Sequence, residues 1–595
     1  MSTVELRSTS RVSAFSVLAA LAAVFVLLGV RSPSAGASQP DGAQKPNSLA
    51  PAATCGLAWS RVSSPNVGPS ASVLQSVSAA SANDVWAVGH YGFSGALTLV
   101  EHWDGSAWSV VPSPNIGTEQ NYLYGVSALS MTDTWAVGTA RGQTLTEHWD
   151  GSAWSIVPSP GPVDNSYDTL FAVTAISAND VWAVGSRFQS AAYHSLALHW
   201  DGSTWTTVPV PDVSAGPNQL TGITAVSSTD VWAVGRVGPY FGEGARTLAV
   251  HWNGSAWSIV PTANVGAQDN ALLAVDAVST NDIWAVGNYL SGASWQTLIE
   301  RWDGTRWNVI PSPNPGTGAN YLYGLTGVAA ISANDVWAVG NYFDACTPVQ
   351  TLIEHWDGSA WSVVSSPNID PRPTLLHSVT TLGPGDAWAV GEYEDANVGW
   401  PQTLIEHYTT PVLRFSDVCP SDYFYQATTY LADQHVISGY GDGTFRPANT
   451  TTRAQASKIM VLAWNKPVYV PPTPTFRDVP ADDPFYTYIE TVNHWLIATG
   501  YADGTFHPTD SVTRGQLAKM VVKAALWELL MPTTPTFSDV PADHPFYRYI
   551  ETVYAHCALS GYADHTFRPN NTATRGQVAK MVYKALLNYQ PRVGR

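Results

Sequence analysis

The chain has 595 residues, a formal net charge of -18, 45% hydrophobic and 12% charged residues, and 25 Trp. That length exceeds one compact domain, and an apolar, aromatic-rich composition excludes an intrinsically disordered chain. Residues 55–412 hold 8 Arg, no Lys and 29 Asp and Glu, a balance of -21, which argues against nucleic acid or an anionic lipid surface as a partner of that segment.

At the N-terminus Arg7 and Arg11 precede an apolar run from Ala14 to Val30, and Ala35-Gly36-Ala37 supplies the small residues a signal peptidase cuts. Residues 1–37 therefore read as a secretory signal peptide, and the length of the run leaves retention as a membrane anchor open. Residues 38–54 are rich in Pro, Ser, Gly and Ala without periodicity and read as a linker. Cys55, Cys346, Cys419 and Cys557 have no metal-ligand spacing. Outside the cell they are expected to form up to two disulfides in any of three pairings, or to stay as buried thiols; no metal or cofactor is expected.

Residues 55–410 carry a repeat of about fifty residues, the period of propeller blades. Its strongest word is D-x-W-A-V-G, with Trp at 86, 135, 182, 232, 284, 337 and 388. An alternating apolar stretch precedes each copy, and T-L-x-E-H-W-D-G then S-A-W-S-x-V-P-S-P follow, so each unit predicts four short strands. Asp-Gly pairs at 104, 150, 201, 303 and 357, with Asn253-Gly254 as the variant, tolerate positive φ and predict hairpin turns between the third and fourth strands. The motif Asp residues (84, 133, 180, 230, 282, 335 and 386) are expected to accept backbone N–H bonds at the entry to the second strand.

The ends of this region are the most informative. The seventh unit stops at Thr403–Tyr408 without a fourth strand, while Ala58–Asn66 matches a fourth strand that has no first three. Together they predict a seven-bladed β-propeller whose last blade is shared between its two chain ends, a closure that removes exposed sheet edges. The repeated Trp residues are read as core. The His before the third-strand Trp (102, 148, 199, 251, 355 and 407, with Arg301 in the fifth unit) are read as structural hydrogen-bonding groups, not a metal ring.

The loops between second and third strands and between blades are long and varied, whereas the other turns are short and uniform. Variable loops on a rigid scaffold are the expected binding face, with Tyr240, Phe241, Trp295, Tyr342 and Trp400 as candidate contacts. No catalytic set stands out; Glu392, Glu394 and Asp395 are the carboxylates an acid/base enzyme would draw on.

From Leu413 a second repeat runs with a period of 61 residues in copies at 413–466, 474–527 and 535–588. Each opens with F-x-D-V at Phe415, Phe476 or Phe537. G-Y-x-D-x-T-F-x-P follows at Gly439, Gly500 or Gly561, and then T-R-x-Q at Thr452, Thr513 or Thr574. Tyr486, Ile489, Val492 and Leu496 have helical spacing, with Gly500-Tyr501 expected to end that helix. Thr513 and Gln516 form a T-x-x-Q capping box that starts a second helix burying Leu517, Met520, Val521 and Ala524. Helix pairs of this size bury little alone, so the three copies are expected to pack together.

These residues resemble the S-layer homology family across nearly all of 413–588. The resemblance implies an all-α pseudo-threefold prism binding secondary cell-wall polysaccharide, often pyruvylated, in grooves between copies. The family's T-R-A-E Arg falls on Arg453, Arg514 and Arg575, where an Arg beside free helix N–H groups suits a carboxylate ligand. The loop residues Gly439, Gly500 and Gly561 and Asp442, Asp503 and Asp564 complete the candidate polymer site. Gln replaces the family's usual Glu in every copy, and His565 replaces the loop glycine of the third.

The expected protein is thus secreted and held on the bacterial cell wall by the helical triplet, displaying a non-catalytic propeller used for structure or for binding a protein or glycan. The alternative is a wall-tethered carbohydrate-active enzyme. A membrane is expected as a partner only if the signal is retained, and nucleic acid is not expected.

Overall fold

The computed structural model describes residues 55–587 apart from 94, 162–166, 190–191, 214–215, 239–243, 316–323, 345–346, 369–371, 396–397 and 563. The segments read as signal peptide and linker, and Tyr240, Phe241 and Cys346, therefore lie outside the described residues. The described residues form one compact unit.

Seven four-stranded antiparallel sheets make the propeller. Blades 1 to 6 span 72–110, 121–156, 167–207, 218–259, 270–309 and 324–363, each a meander in chain order. Blade 7 takes three strands from 374–409 and its outermost strand from Ala58–Val62, with Trp59 directly opposite Tyr408. The ring closes as its two ends predict.

Each junction between blades is built from the same three rings. Trp86 of blade 1 packs on Trp149 and Trp154 of blade 2 at 4.9 and 5.3 Å between centroids. The pattern passes round the ring to Trp337, which meets Tyr408 at 4.6 Å and Trp59 at 5.4 Å. Trp388 then meets Trp103 and Trp108 of blade 1 at 5.1 and 5.5 Å. The seven motif Trp residues are at most 3% exposed. Tilted and edge-on aromatic pairs add about 0.5–1.5 kcal/mol each beyond area burial, so these junctions hold neighbouring sheets together. The motif glycine is also explained: a Cβ on Gly89 would lie 1.9 Å from the Val73 carbonyl oxygen, and the other six copies are as tight.

The motif Asp does not have the expected partners. Asp84 Oδ1 accepts from Trp86 Nε1 at 2.9 Å and lies 2.8 Å from His102 Nε2, and five more blades repeat the His–Asp contact at 2.8–2.9 Å. In blade 5 Arg301 donates to Asp282 through two nitrogens at 2.6 and 2.8 Å, so it substitutes for His chemically as well as positionally. The carboxylate fastens the third strand to the second by a side-chain bond, and the His reading holds. In the Asp-Gly hairpins the Asp caps its own turn: Asp104 Oδ1 accepts from the N–H groups of Ser106 and Ala107, while Gly105 takes φ 93°.

A second set of carboxylates is buried on the third strands. Glu101, Glu147, Glu300, Glu354 and Glu406 are all 0% exposed, each opposite the Ala of W-A-V. Leu198 and Val250 take that register in blades 3 and 4. Burial pushes Glu147, Glu354 and Glu406 up to about 8 and Glu300 to about 7, and raises Glu101 as well. At neutral pH most of these side chains are acids, not carboxylates.

The C-terminal part contains helices α1 (Tyr425–Asp433), α2 (Arg453–Ala463), α3 (Tyr486–His494), α4 (Arg514–Ala525), α5 (Tyr547–Ala555) and α6 (Arg575–Leu587). They share one core that includes Leu431, Met460, Ile489, Val521, Ile550 and Met581. Backbone bridges Thr450 to Thr574, Thr452 to Ser511 and Thr513 to Thr572 tie the three copies pairwise. The T-x-x-Q box closes both ways in α2 and α4. One helix end differs from expectation: α3 stops at His494, and Leu496 sits at φ 55° and 65% exposed while Ile497 is buried. The left-handed residue therefore comes four positions before Gly500.

Cys55, just ahead of the closing strand, is disulfide-bonded to Cys419 of the first helical copy. Gln426 Nε2 donates to the Ser366 carbonyl beyond blade 6, so the helical part also packs against the propeller.

Candidate functional site

The three T-R-x-Q arginines sit between copies, not within them. Arg453 Nε donates to the Phe506 carbonyl at 2.8 Å, and Nη2 reaches Thr499 at 3.3 Å. Arg514 Nε donates to Phe567 at 2.9 Å, and Arg575 donates to Phe445 and Ser438 at 2.8 and 2.9 Å. Each guanidinium lies over the Tyr and Phe of the next copy's loop, as Arg453 does over Tyr501 at 5.0 Å and Phe506 at 4.5 Å. The order first-to-second, second-to-third, third-to-first gives three equivalent junctions.

Two features of this geometry bear on charge. Arg453 and Arg514 are only 6% and 4% exposed, and burial lowers the pKa of all three arginines. Among the described residues no carboxylate lies within 4.0 Å of them. A desolvated cation held by neutral carbonyls and aromatic faces has countercharge only at longer range, from Asp510 and Asp478 at Arg453, Asp539 at Arg514 and Asp417 at Arg575. The helix N–H groups beside it are not free, contrary to expectation: Arg453 N donates to Asp510 O and Ala454 N to Pro508 O, and the other two junctions repeat this. The guanidinium, not the helix terminus, is the electropositive group left without a close charged partner.

At the first junction a cavity of about 180 Å³ is lined by Arg453, Thr499, Gly500, Tyr501, Gln516 and Lys519, among others. Lys519 was missed by sequence reasoning, although Lys458, Lys519 and Lys580 each stand five residues after the Arg of their copy. Gln516 uses its Oε1 to accept from Thr513 N, so the residue replacing the family's Glu is neutral and occupied by the cap.

The loop candidates have internal duties. A Cβ on Gly500 would meet Phe476 at 2.3 Å and the Thr505 carbonyl oxygen at 2.6 Å; Gly439 and Gly561 are equally close to Phe415 and Phe537. Asp442, Asp503 and Asp564 accept from the N–H and hydroxyl of Thr444, Thr505 and Thr566. Asp442 and Asp564 also pair with Arg446 and Arg568 at 2.8 Å. His565 keeps the turn of Gly443 and Gly504 at φ 59°. These residues shape the loop that carries Tyr440, Tyr501 and Tyr562.

On the propeller, Trp295 lines a cavity of about 330 Å³ at the inner mouth of the loop-rich side. Trp400 packs tilted against the exposed Phe93 at 4.8 Å between centroids, and the Tyr342 hydroxyl donates to Gln350 at 2.6 Å. Of the three carboxylates considered for catalysis, Glu394 is 3.6 Å from Arg372 and Asp395 accepts from Val398 N at 3.3 Å, while Glu392 lies 3.9 Å from His377 Nε2, beyond hydrogen-bond distance. The described residues contain no cluster suited to a metal ion, and no helix among them is long and apolar enough to cross a membrane.

The family model of the S-layer homology domain matches residues 414–457, 475–518 and 536–579. The helical part is therefore an S-layer homology triplet, which marks the chain as a cell-surface, wall-associated protein. A cellulosome-anchoring protein of Acetivibrio thermocellus is 30% identical over 157 residues, covering 25% of this chain and 35% of that one. The S-layer protein sap of Bacillus anthracis is 24% identical over 173 residues, covering 29% and 21%. The chain thus spans about a third or less of the length of these relatives. A solved structure of YCF48 bound to D1 peptide is similar with a TM-score of 0.40 and 14% identity, covering 61% of this chain and 100% of that chain.

Proposed function

We propose that the S-layer homology triplet anchors the chain by gripping an anionic cell-wall polysaccharide at its inter-repeat junctions, with Arg453, Arg514 and Arg575 as the charge-bearing residues. One observation carries this reading: three junction guanidiniums without a carboxylate within 4.0 Å, two of them buried and one of those at a cavity that also presents Lys519. A ligand carboxylate, such as that of a pyruvylated sugar, supplies the close countercharge and meets the remaining N–H donors. The Tyr at each junction offers a face for the sugar ring. The relatives named as anchoring and S-layer proteins support the same role.

The propeller is read as the displayed module, which binds through its loop-rich side without catalysis. The pairing of Glu394 with Arg372 and of Asp395 with Val398 N supports that reading over a carbohydrate-active enzyme. Anchoring is tested by sedimenting the full-length protein with purified wall sacculi. Arg453→Gln, Arg514→Gln and Arg575→Gln, single and combined, are compared with the parent, and thermal unfolding is recorded alongside. Binding lost in the triple variant at unchanged unfolding temperature supports the proposal. Full binding by a folded triple variant, or equal binding to walls stripped of their acidic polymer, sinks it.

A further inference from the structure

The cavity beside Trp295 lies between blades 3 and 6, where the innermost strands converge. Its walls include Phe171, Gln219, Arg236, Asn288 and Trp295, and its volume is about 330 Å³. We propose that this cavity binds a neutral sugar unit, at an end or branch of a glycan. The proposal rests on the reading of the propeller as a binding module and names its site and ligand class.

The site is built in advance. Asp269 Oδ1 accepts from Gly244 N and Ala245 N at 2.8 and 2.9 Å, fixing the loop of blade 4 to the linker before blade 5. Gln268 exchanges two hydrogen bonds with Gly292, at 2.7 and 3.0 Å, and so holds the turn that carries Trp295. Leu290 N donates to the Asp269 carbonyl at 2.8 Å. Little ordering is left for a ligand to impose, a condition that favours binding of small molecules.

The unmet chemistry points to a hydroxyl-bearing ligand. Asn288 is 4% exposed, and its Oδ1 has no hydrogen-bond partner. The same position one blade on shows what it lacks: Asn341 holds both the N–H and the carbonyl of Leu376, at 2.8 and 3.2 Å. Asn288 instead packs its Cβ close to Gly324 across the junction, and the residue lines the cavity. A buried carbonyl oxygen without a donor costs free energy until a ligand O–H or N–H meets it. On the same wall Arg236 Nε and Nη2 are fixed on Gln219 Oε1 at 3.2 and 3.1 Å, which orients a guanidinium and an amide together.

The remaining walls decide the class. Trp295 and Phe171 offer aromatic surface to the C–H face of a pyranose, and Ala245, Ala271 and Leu273 complete an apolar side. One Arg and one Asp leave no net charge among the lining residues, so an anionic sugar gains nothing here and belongs to the arginine junctions of the triplet. A purely apolar ligand leaves Asn288 Oδ1 unmet. The volume lies at the small end of ligand pockets, which suits a mono- or disaccharide unit and not a bulkier segment.

The test uses the full-length protein with methyl α-mannoside, methyl β-galactoside and methyl β-N-acetylglucosaminide, each followed by Trp fluorescence and saturation-transfer NMR. Methyl β-glucuronide is the charged control and an uncharged tetrapeptide the peptide control. Saturable binding of at least one neutral glycoside, weakened roughly tenfold or more in both Trp295→Ala and Asn288→Ala at unchanged unfolding temperature, is expected. Circular dichroism checks each variant, and Arg236→Met replaces any that does not fold. Saturable binding that both folded variants retain places the sugar elsewhere: it overturns this site but leaves the propeller a binding module. Binding of the peptide, lost in the variants, overturns the ligand class alone. No signal from any probe, together with blank glycan arrays and surface pull-downs, overturns both readings.

Discussion

The buried glutamates give the ring a pH dependence opposite to that of a salt-bridged surface. Glu147 is 0% exposed, both its carboxyl oxygens lack partners, and burial pushes it to about 8 from an ordinary 4.5. Between those values the folded chain keeps a proton that the unfolded chain has released. Its contribution to stability is therefore fully present below about pH 4.5, falls as pH rises, and is lost above about 8. The slope is roughly 1.4 kcal/mol per pH unit for one such group. From pH 5 to 8 that amounts to about 3–4 kcal/mol for Glu147 alone. The repeat itself supplies the replacement, since Leu198 occupies the same register one blade on. Urea unfolding followed by Trp fluorescence at pH 5, 6, 7 and 8 should show Glu147→Leu gaining on the parent by about that amount across the series. Other titrating groups are common to both proteins and cancel in the difference. Parallel stability curves for parent and variant would refute the reasoning, because they would mean that the carboxyl ionises in the folded ring without cost.

Two further outcomes follow from single residues. His565 holds a left-handed turn that glycine holds in the other two copies; the αL position costs a side-chain-bearing residue about 1–2 kcal/mol, partly offset by glycine's greater freedom when unfolded. His565→Gly should stabilise the triplet by about 0.5–1 kcal/mol in a denaturation series, and a loss of stability would mean that the imidazole makes a contribution of its own. Trp59 is 0% exposed and is the closing strand's share of the last aromatic junction. Trp59→Ala should cost about 3–5 kcal/mol and expose the ring to limited proteolysis, whereas Trp400→Ala, at a partly exposed loop ring, should cost less than about 1 kcal/mol; equal losses would contradict the closure argument.

The architecture was legible because the same information is written seven times and then three times. Trp59 opposite Tyr408 could be named from the chain ends alone, since a fourth strand without its blade and a blade without its fourth strand have one simple resolution. Side-chain partners were less legible. The motif Asp reads locally as a turn residue, yet its partners are a His on the next strand and, in some blades, a nearby Trp, a choice that tertiary packing makes. Glu101 and its counterparts escaped notice because strands covered on both faces lose the alternation that distinguishes buried from exposed positions. The arginine junctions were placed on the right residues, but the acceptors of the helix N–H groups belong to the next copy and leave no trace within one repeat. Lys519 left a trace, a fixed spacing after Arg in every copy, that a search for capping and hydrophobic period does not weigh.

The bond between Cys55 and Cys419 changes how mechanical load enters the ring. Thr409 ends the inner strand of the seam opposite Ala58, which begins the outer one, so both strands leave the sheet at the same edge. The first continues along the chain into the wall-bound triplet, and the second is tethered to it three residues ahead of Ala58. A tug on the cell surface is therefore shared by the two strands in step, instead of peeling one from the other, and the sheet built from two separate stretches of chain is braced where they meet.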